Sequence, residues 1–369
     1  MAKNIFWALE YVYADYDWLT VDYRIWYALF VIQPVYYPLL CVVAVPVNTV
    51  TIVILSRGKC GLSKGVTRYL EAMATADLLV VIFDMIMKQL PMGYREQFSF
   101  VNSIHVCNIH AVVVAAVTDC SVWFTVAFTF DRFVAISCQK LRTKYCTERT
   151  AAVVLGTITV LSSLKNIFWY FMLRGEYHLD YVPWFCRERA GVLRSSVWAA
   201  IEFLHYLVTP GLPFALILLL NVLTTKYVLV AGRTRKRLRD PSLRESARDP
   251  EMESRRKSLI LLLVISGNFI LLWSVYMVYN IWGRIYDLRI GSSFPPNTLQ
   301  ELGFMLQLLS CCTNTALYAV TQTKFRQQLK DLVKYPFTLT WEHCNLHVPQ
   351  AQCANNAYMG TDDLFLHQP

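Results

Sequence analysis

The chain has 369 residues, of which 55% are hydrophobic and only 17% charged, with 35 Lys and Arg against 26 Asp and Glu. A soluble domain carries about a quarter charged residues, so this balance excludes a soluble globular protein. The net charge of +9 reads as a topology signal and an attraction to anionic lipid, not as nucleic-acid binding.

In chain order, residues 1–24 are aromatic and acidic, lack the apolar core of a signal peptide, and form an expected extracellular N-terminus. Seven apolar segments follow: Ile25–Leu55, Tyr69–Leu90, Cys107–Cys138, Thr150–Leu173, Val197–Val230, Leu259–Trp282 and Leu299–Val320. Each reaches the ~20 residues that span a bilayer. This predicts an all-α membrane protein, a seven-transmembrane helix bundle over 25–322. Most Lys and Arg fall on the loops after spans one, three and five and just past span seven. That asymmetry predicts an outer N-terminus and a cytoplasmic C-terminus in a multi-pass plasma-membrane protein. Only Cys107 and Cys186 of eleven cysteines then lie outside, where one disulfide is expected, two free outer thiols being the alternative.

Residues 232–257 are polar without apolar periodicity, and read as helix extensions around a mobile third cytoplasmic loop. Residues 323–335 alternate basic and apolar and predict an amphipathic membrane-surface helix, followed by a cytoplasmic tail over 336–369. Polar residues inside the spans are costly and normally face the bundle interior with partners. Asn48, Asp77, Ser121, Ser310 and Asn314 are candidates for one such cluster. Asp84 and Lys88, four apart on a helix, either pair with each other or meet a ligand. Asp119 has the same choice between Lys165 and a ligand. Glu202 and His205 share a face and sit either at headgroup level or in a pocket.

Cys107 at the head of the third span and Asp131-Arg132-Phe133 at its foot resemble the rhodopsin-like (class A) G-protein-coupled receptors. Asn48, Asp77, Pro213, Phe269, Trp273 and the pair Asn314 and Tyr318 stand at that family's spacing. The likeness runs from about Tyr27 to Phe337. Pro34–Ser56, the stretch TRYLEAMATADLLV and Asn221 are similar to the group of orphan receptors around the one numbered 139. That group responds to aromatic amino acids and couples mainly to Gq-type proteins. The sequence departs from the family where Val275 and Thr315 replace prolines of the sixth and seventh helices, and where Arg255 stands in place of a lock-forming acid.

What the resemblance implies is a ligand pocket near Val114 and Thr118, Glu202, His205 and Tyr206, Tyr276 and Asn280, and Phe304. Glu202 would meet a ligand amine, and Lys88 or Arg284 a carboxylate. Trp273, Phe269, Val122 and Pro213, with Asn314 and Tyr318, would relay rearrangement. Asp131, Arg132 and Phe133 would serve a heterotrimeric G protein. Asp77, Ser121, Asn48 and Ser310 resemble the family's sodium site, a protonated Asp77 being the alternative; no other cofactor is expected. The partners are then a G protein, an extracellular small-molecule or peptide ligand, and membrane lipid. A transporter with a relay through Asp77, Asp84, Lys88, Asp119, Lys165 and Glu202 would call for repeats and paired broken helices, which the sequence lacks. A non-signalling scavenger with a receptor fold is the second rival. No nucleophile elbow, metal motif or phosphate loop points to an enzyme.

Overall fold

The computed structural model describes residues 20–90, 104–175, 186–188, 195–238, 250–288, 290 and 293–332. Helix α1 spans Val21–Ser56, with Thr20 capping it by accepting from the Tyr23 amide. Helix α2 spans Lys64–Val80 behind the Ser63 cap and continues as a π-helical stretch over Val81–Gln89. Then come α3 (Ile104–Ser137), the short α4 (Gln139–Tyr145), α5 (Glu148–Lys165) and the single turn α6 (Phe168–Met172). Thr147 caps α5 and Glu148 in its first turn complements the helix dipole.

Strands β1 (Leu173–Gly175) and β2 (Cys186–Glu188) pair antiparallel, Gly175 opposite Cys186. Next, α7 (Ser196–Tyr206) leads through a π-helical turn, Leu207–Gly211, into α8 (Leu212–Leu238). Helix α9 covers Pro250–Asp287, α10 covers Asn297–Thr321, and residues 323–332 form α11. The predicted spans are therefore helical over most of their length, the fourth breaking at Asn166 and Ile167 and ending in β1 at Leu173, and the fifth passing through the non-helical Thr209. The stretch between α8 and α9 is shorter than the predicted 232–257 loop, since both helices run into it from either side.

Six of these segments are long and apolar enough to cross a membrane. The second span is more polar, carrying Asp77, Asp84 and Lys88, and it buries both carboxylates inside the bundle. Outward, the bundle shows large apolar side chains such as Leu39, Val42, Leu271 and Val320, a continuous apolar surface of the kind that meets lipid. Threonines in the spans, including Thr49, Thr157 and Thr159, donate to the carbonyl four residues back. In hydrocarbon such self-satisfaction avoids an unpaired hydroxyl.

One buried cluster joins Tyr69, Leu70 and Met73 of α2 to Phe124 and Phe128 of α3, Leu262 of α9, Tyr318 of α10 and Phe325 of α11. A second joins α1, α2 and α10 through Tyr37, Ala44, Val81, Met85 and Leu308. Helices α9 and α10 come close together at Gly303, where an added Cβ would sit 3.0 Å from the Tyr276 Cα and 3.4 Å from the Val275 carbonyl carbon. The position that lacks its family proline is thus held backbone to backbone. Thr315, at the other missing proline, donates to the Val47 carbonyl of α1 at 3.2 Å and hydrogen-bonds Thr51.

Residues 1–19 and 333–369, and so the tail, lie outside the described residues, as do the side chains of Cys107, Cys186 and Arg255. The backbone brings β2, which opens with Cys186, against α3.

Candidate functional site

A cavity of about 400 Å³ opens among α2, α3, α7, α9 and α10 at the Cys107 end of the bundle. Val114, Thr118, His205, Tyr206, Tyr276 and Phe304 line it, so the structure brings together six of the eight predicted pocket residues. Glu202 and Asn280 do not line it. Glu202 is buried and bonded to Arg284, and Asn280 donates to its own helix at the Tyr276 carbonyl, 2.8 Å away. The partner that the structure shows for Glu202, expected to meet a ligand amine, is Arg284, itself expected to meet a carboxylate. These two side chains neutralise each other, and Arg284 also reaches Asp287 at 3.0 Å.

The cavity adds residues that spacing did not single out: His110, Trp169, Thr209 and Gln307. Trp169 and Phe168 meet His205 edge-on at 5.5 and 5.4 Å between ring centroids, and Tyr206 does so at 4.9 Å. Intramembrane aromatic runs on the fourth and fifth spans were the signal available, but apolar runs of that kind are equally suited to face lipid. Three-dimensional packing decides between the two.

Beneath the cavity the floor is an ion pair. Lys165 Nζ lies 2.7 Å from Asp119 Oδ2 and donates to Thr209 Oγ1 at 3.0 Å. Asn166 Nδ2 donates to the same carboxylate at 2.6 Å, and Trp123 Nε1 donates to Thr209 at 3.0 Å. Of the two partners weighed for Asp119, the structure shows the internal one. A buried carboxylate with one cation and further donors is compensated in the way burial requires.

From the cavity wall a file of rings runs inward. Phe304 meets Tyr276 at 5.3 Å, Tyr276 meets Trp273 at 5.6 Å, and Trp273 stacks on Phe269 at 5.4 Å. Phe269 and Trp273 then pack with Val122, Val126 and Ile217 in one buried cluster. Pro213 is buried in α8 near this level but belongs to no part of that cluster. A packed core is bistable more readily than it is deformable, so a contiguous file of this kind is a physical route by which displacement could travel.

The predicted polar cluster divides. Asp77 accepts from Ser121 at 2.6 Å and from Asn314 at 2.6 Å. Ser310 is turned away: it donates to the Gln307 carbonyl and accepts from Trp273 Nε1 at 3.0 Å. Asn48 donates to the Ala44 and Cys311 carbonyls at 3.0 and 2.8 Å, which leaves its buried Oδ1 without a hydrogen-bond partner. A carboxylate, a hydroxyl and an amide oxygen are the kind of oxygen donors that a hard cation takes.

At the opposite end, Arg132 pairs with Asp131. Arg132 lines a second cavity of about 750 Å³ together with Arg142, Cys146 and Lys257, while Asp131 and Phe133 do not line it. Burial pushes the Cys146 thiol up to about 11. Tyr318 is buried and meets Phe325 of α11 edge-on at 5.9 Å.

The family model of the seven-transmembrane receptors of the rhodopsin family matches residues 47–318, which include the first cavity, the aromatic file, the Asp77 cluster and the described lining of the second cavity apart from Gln322. With its bundle of apolar helices, the chain belongs to the rhodopsin family of G-protein-coupled receptors, multi-pass proteins of the plasma membrane that signal through G proteins and are not enzymes.

Proposed function

We propose that this receptor is activated by a small extracellular molecule carrying an aromatic ring, of the size of an aromatic amino acid, and couples to Gq-type proteins. In this reading the N-terminus and the Cys107 end face outward, and the Arg132 end faces the cytoplasm. The observation that carries it is the file Phe304, Tyr276, Trp273 and Phe269, which begins in the wall of a cavity of about 400 Å³ and ends in the buried core. A ring bound against Phe304 and Tyr276 touches the first members of that file. Because a ligand shifts a two-state equilibrium only by its differential affinity, contact with a movable ring is the needed coupling. The volume suits a small molecule better than a folded peptide. The likeness to the orphan group supports the aromatic amino-acid class and the Gq preference.

A sodium ion at Asp77, with Ser121 and Asn48 as further donors, would favour the resting arrangement. Ser310, committed to Trp273, would join only after that bond breaks. The test is G-protein activation in cells expressing the chain, with and without L-tryptophan and L-phenylalanine, beside an Arg132→Ala control. A rise that the control lacks supports the reading. Surface expression with no signal in either condition counts against signalling and favours a scavenger.

A further inference from the structure

Resting on the small-ligand reading above, we infer that Asp84 and Lys88 form a divided ion pair that receives the head of a zwitterion. The ligand's ammonium binds Asp84, its carboxylate binds Lys88, and its ring lies toward Phe304 and Tyr276.

The charged side chains that line the cavity are Asp84, Asp119 and Lys88. Asp119 is consumed by Lys165 at 2.7 Å and by Asn166. Glu202 and Arg284 neutralise each other outside the lining. Asp84 and Lys88 are different. Their closest approach is 3.7 Å, beyond hydrogen-bond length, so the two charges attract without forming a directed bond. Asp84 is 6% exposed at its side chain and Lys88 34%, which places a fixed buried anion beside a cation at the cavity mouth. Among the described residues, the directed bond on this carboxylate runs from Gln89 Nε2 to Oδ1 at 3.2 Å.

The backbone explains why these groups converge. Both lie in the π-helical stretch Val81–Gln89. There the wider turn brings residues four and five apart to one side, so Lys88 and Gln89 both reach back to Asp84. Single π turns inside α-helices recur at functional sites. Beside them His110 lines the same wall, its ring edge-on to Phe83 at 5.9 Å.

A cation alone would meet Asp84 but repel Lys88, and an anion alone would do the reverse. A molecule with adjacent ammonium and carboxylate replaces one long ion pair by two short, charge-assisted contacts. The cavity thus selects for both charges together, with specificity set by repulsion as much as by attraction.

The test uses the purified full-length receptor and thermal unfolding with three probes: L-phenylalanine, phenethylamine, which lacks the carboxylate, and 3-phenylpropionate, which lacks the ammonium. In the unchanged chain, L-phenylalanine should stabilise more than either analogue. Lys88→Gln should weaken L-phenylalanine binding by about tenfold or more, the worth of one charged hydrogen bond, and bring it level with phenethylamine. Asp84→Asn, a near-isostere, should instead bring it level with 3-phenylpropionate. Lys88→Gln is the safer variant because its side chain is partly exposed, and its ligand-free melting temperature should stay near that of the unchanged chain. The inference is overturned if both variants keep the original preference, or if L-phenylalanine shifts nothing in the unchanged chain while an Arg132-dependent basal signal is present. Stabilisation by L-phenylalanine without G-protein turnover would instead sink the signalling reading and leave the divided pair standing.

Discussion

The cavity at the Cys107 end is lined by two carboxylates, one ammonium and a set of aromatic rings. The cavity at the Arg132 end is nearly twice as large, is lined by Arg132, Arg142 and Lys257, and has neither a carboxylate nor an aromatic ring in its described lining. In the first, each acid has a base of the same chain nearby, so the field is short-ranged, which in the proposed reading lets the cavity sense the shape and charge spacing of one small molecule. In the second, the described lining holds bases and no acid, although Asp131 pairs with Arg132 from outside it. A field of that sign reaches about a Debye length, some 8 Å at physiological salt, and would favour a macromolecular surface with acidic character. One end is built for selection and the other for attraction.

The strongest way to break this contrast is to remove the cation beneath the first cavity. Lys165→Met leaves the buried Asp119 carboxylate without its charge partner, and truncating one side of a buried pair costs about 3–5 kcal/mol. The purified variant should melt well below the unchanged receptor. Lys165→Met with Asp119→Leu should recover much of the loss, which separates a buried charge left without its partner from mere lost packing.

Next comes the interface between α9 and α10. Gly303→Ala places a methyl group 3.0 Å from the Tyr276 Cα, an overpacking worth about 1–3 kcal/mol. Thermal unfolding should register it, and ligand potency should fall with it because Tyr276 and Phe304 flank the contact.

At the attractive end, Arg142→Glu with Lys257→Glu should lower G-protein turnover several-fold while leaving ligand-induced stabilisation at the other end unchanged. If stabilisation fell too, the two cavities would not be separable in charge. The Cys146 thiol, raised to about 11 by burial, should react with a thiol reagent at a rate still climbing at about pH 10, because the thiolate is the nucleophile. Subtracting the labelling of Cys146→Ser isolates that curve. The smallest effect is expected for Arg68→Ala: its pairs with Glu148 and Glu71 are surface contacts, and the melting temperature should not move measurably.

Much of this architecture was legible in the residues. Apolar runs of bilayer length placed the seven spans, since their length is fixed by the hydrocarbon thickness. Asp84 with Lys88 was readable from the four-residue interval, and Asp119 with Lys165 from the scarcity of partners for an intramembrane charge. Glu202 with Arg284 was not, because the two are 82 residues apart and interval carries no information across helices. The bond from Trp273 to Ser310 was hidden for the same reason: family position grouped Ser310 with Asp77, whereas the relative rotation of α9 and α10 gives it to Trp273. The π-helical turn under Asp84 was invisible too, since hydrophobic periodicity over nine residues does not distinguish 3.6 residues per turn from a slightly wider repeat.

At Gly303 the absence of a side chain sets the spacing of two helices. Glycine, alanine and serine at that one position would therefore form a graded ruler, each step prising α10 further from the Tyr276 backbone while leaving every side chain around either cavity chemically the same. Signalling plotted against such a series would measure how much separation between two neighbouring rods the resting receptor tolerates before it tips.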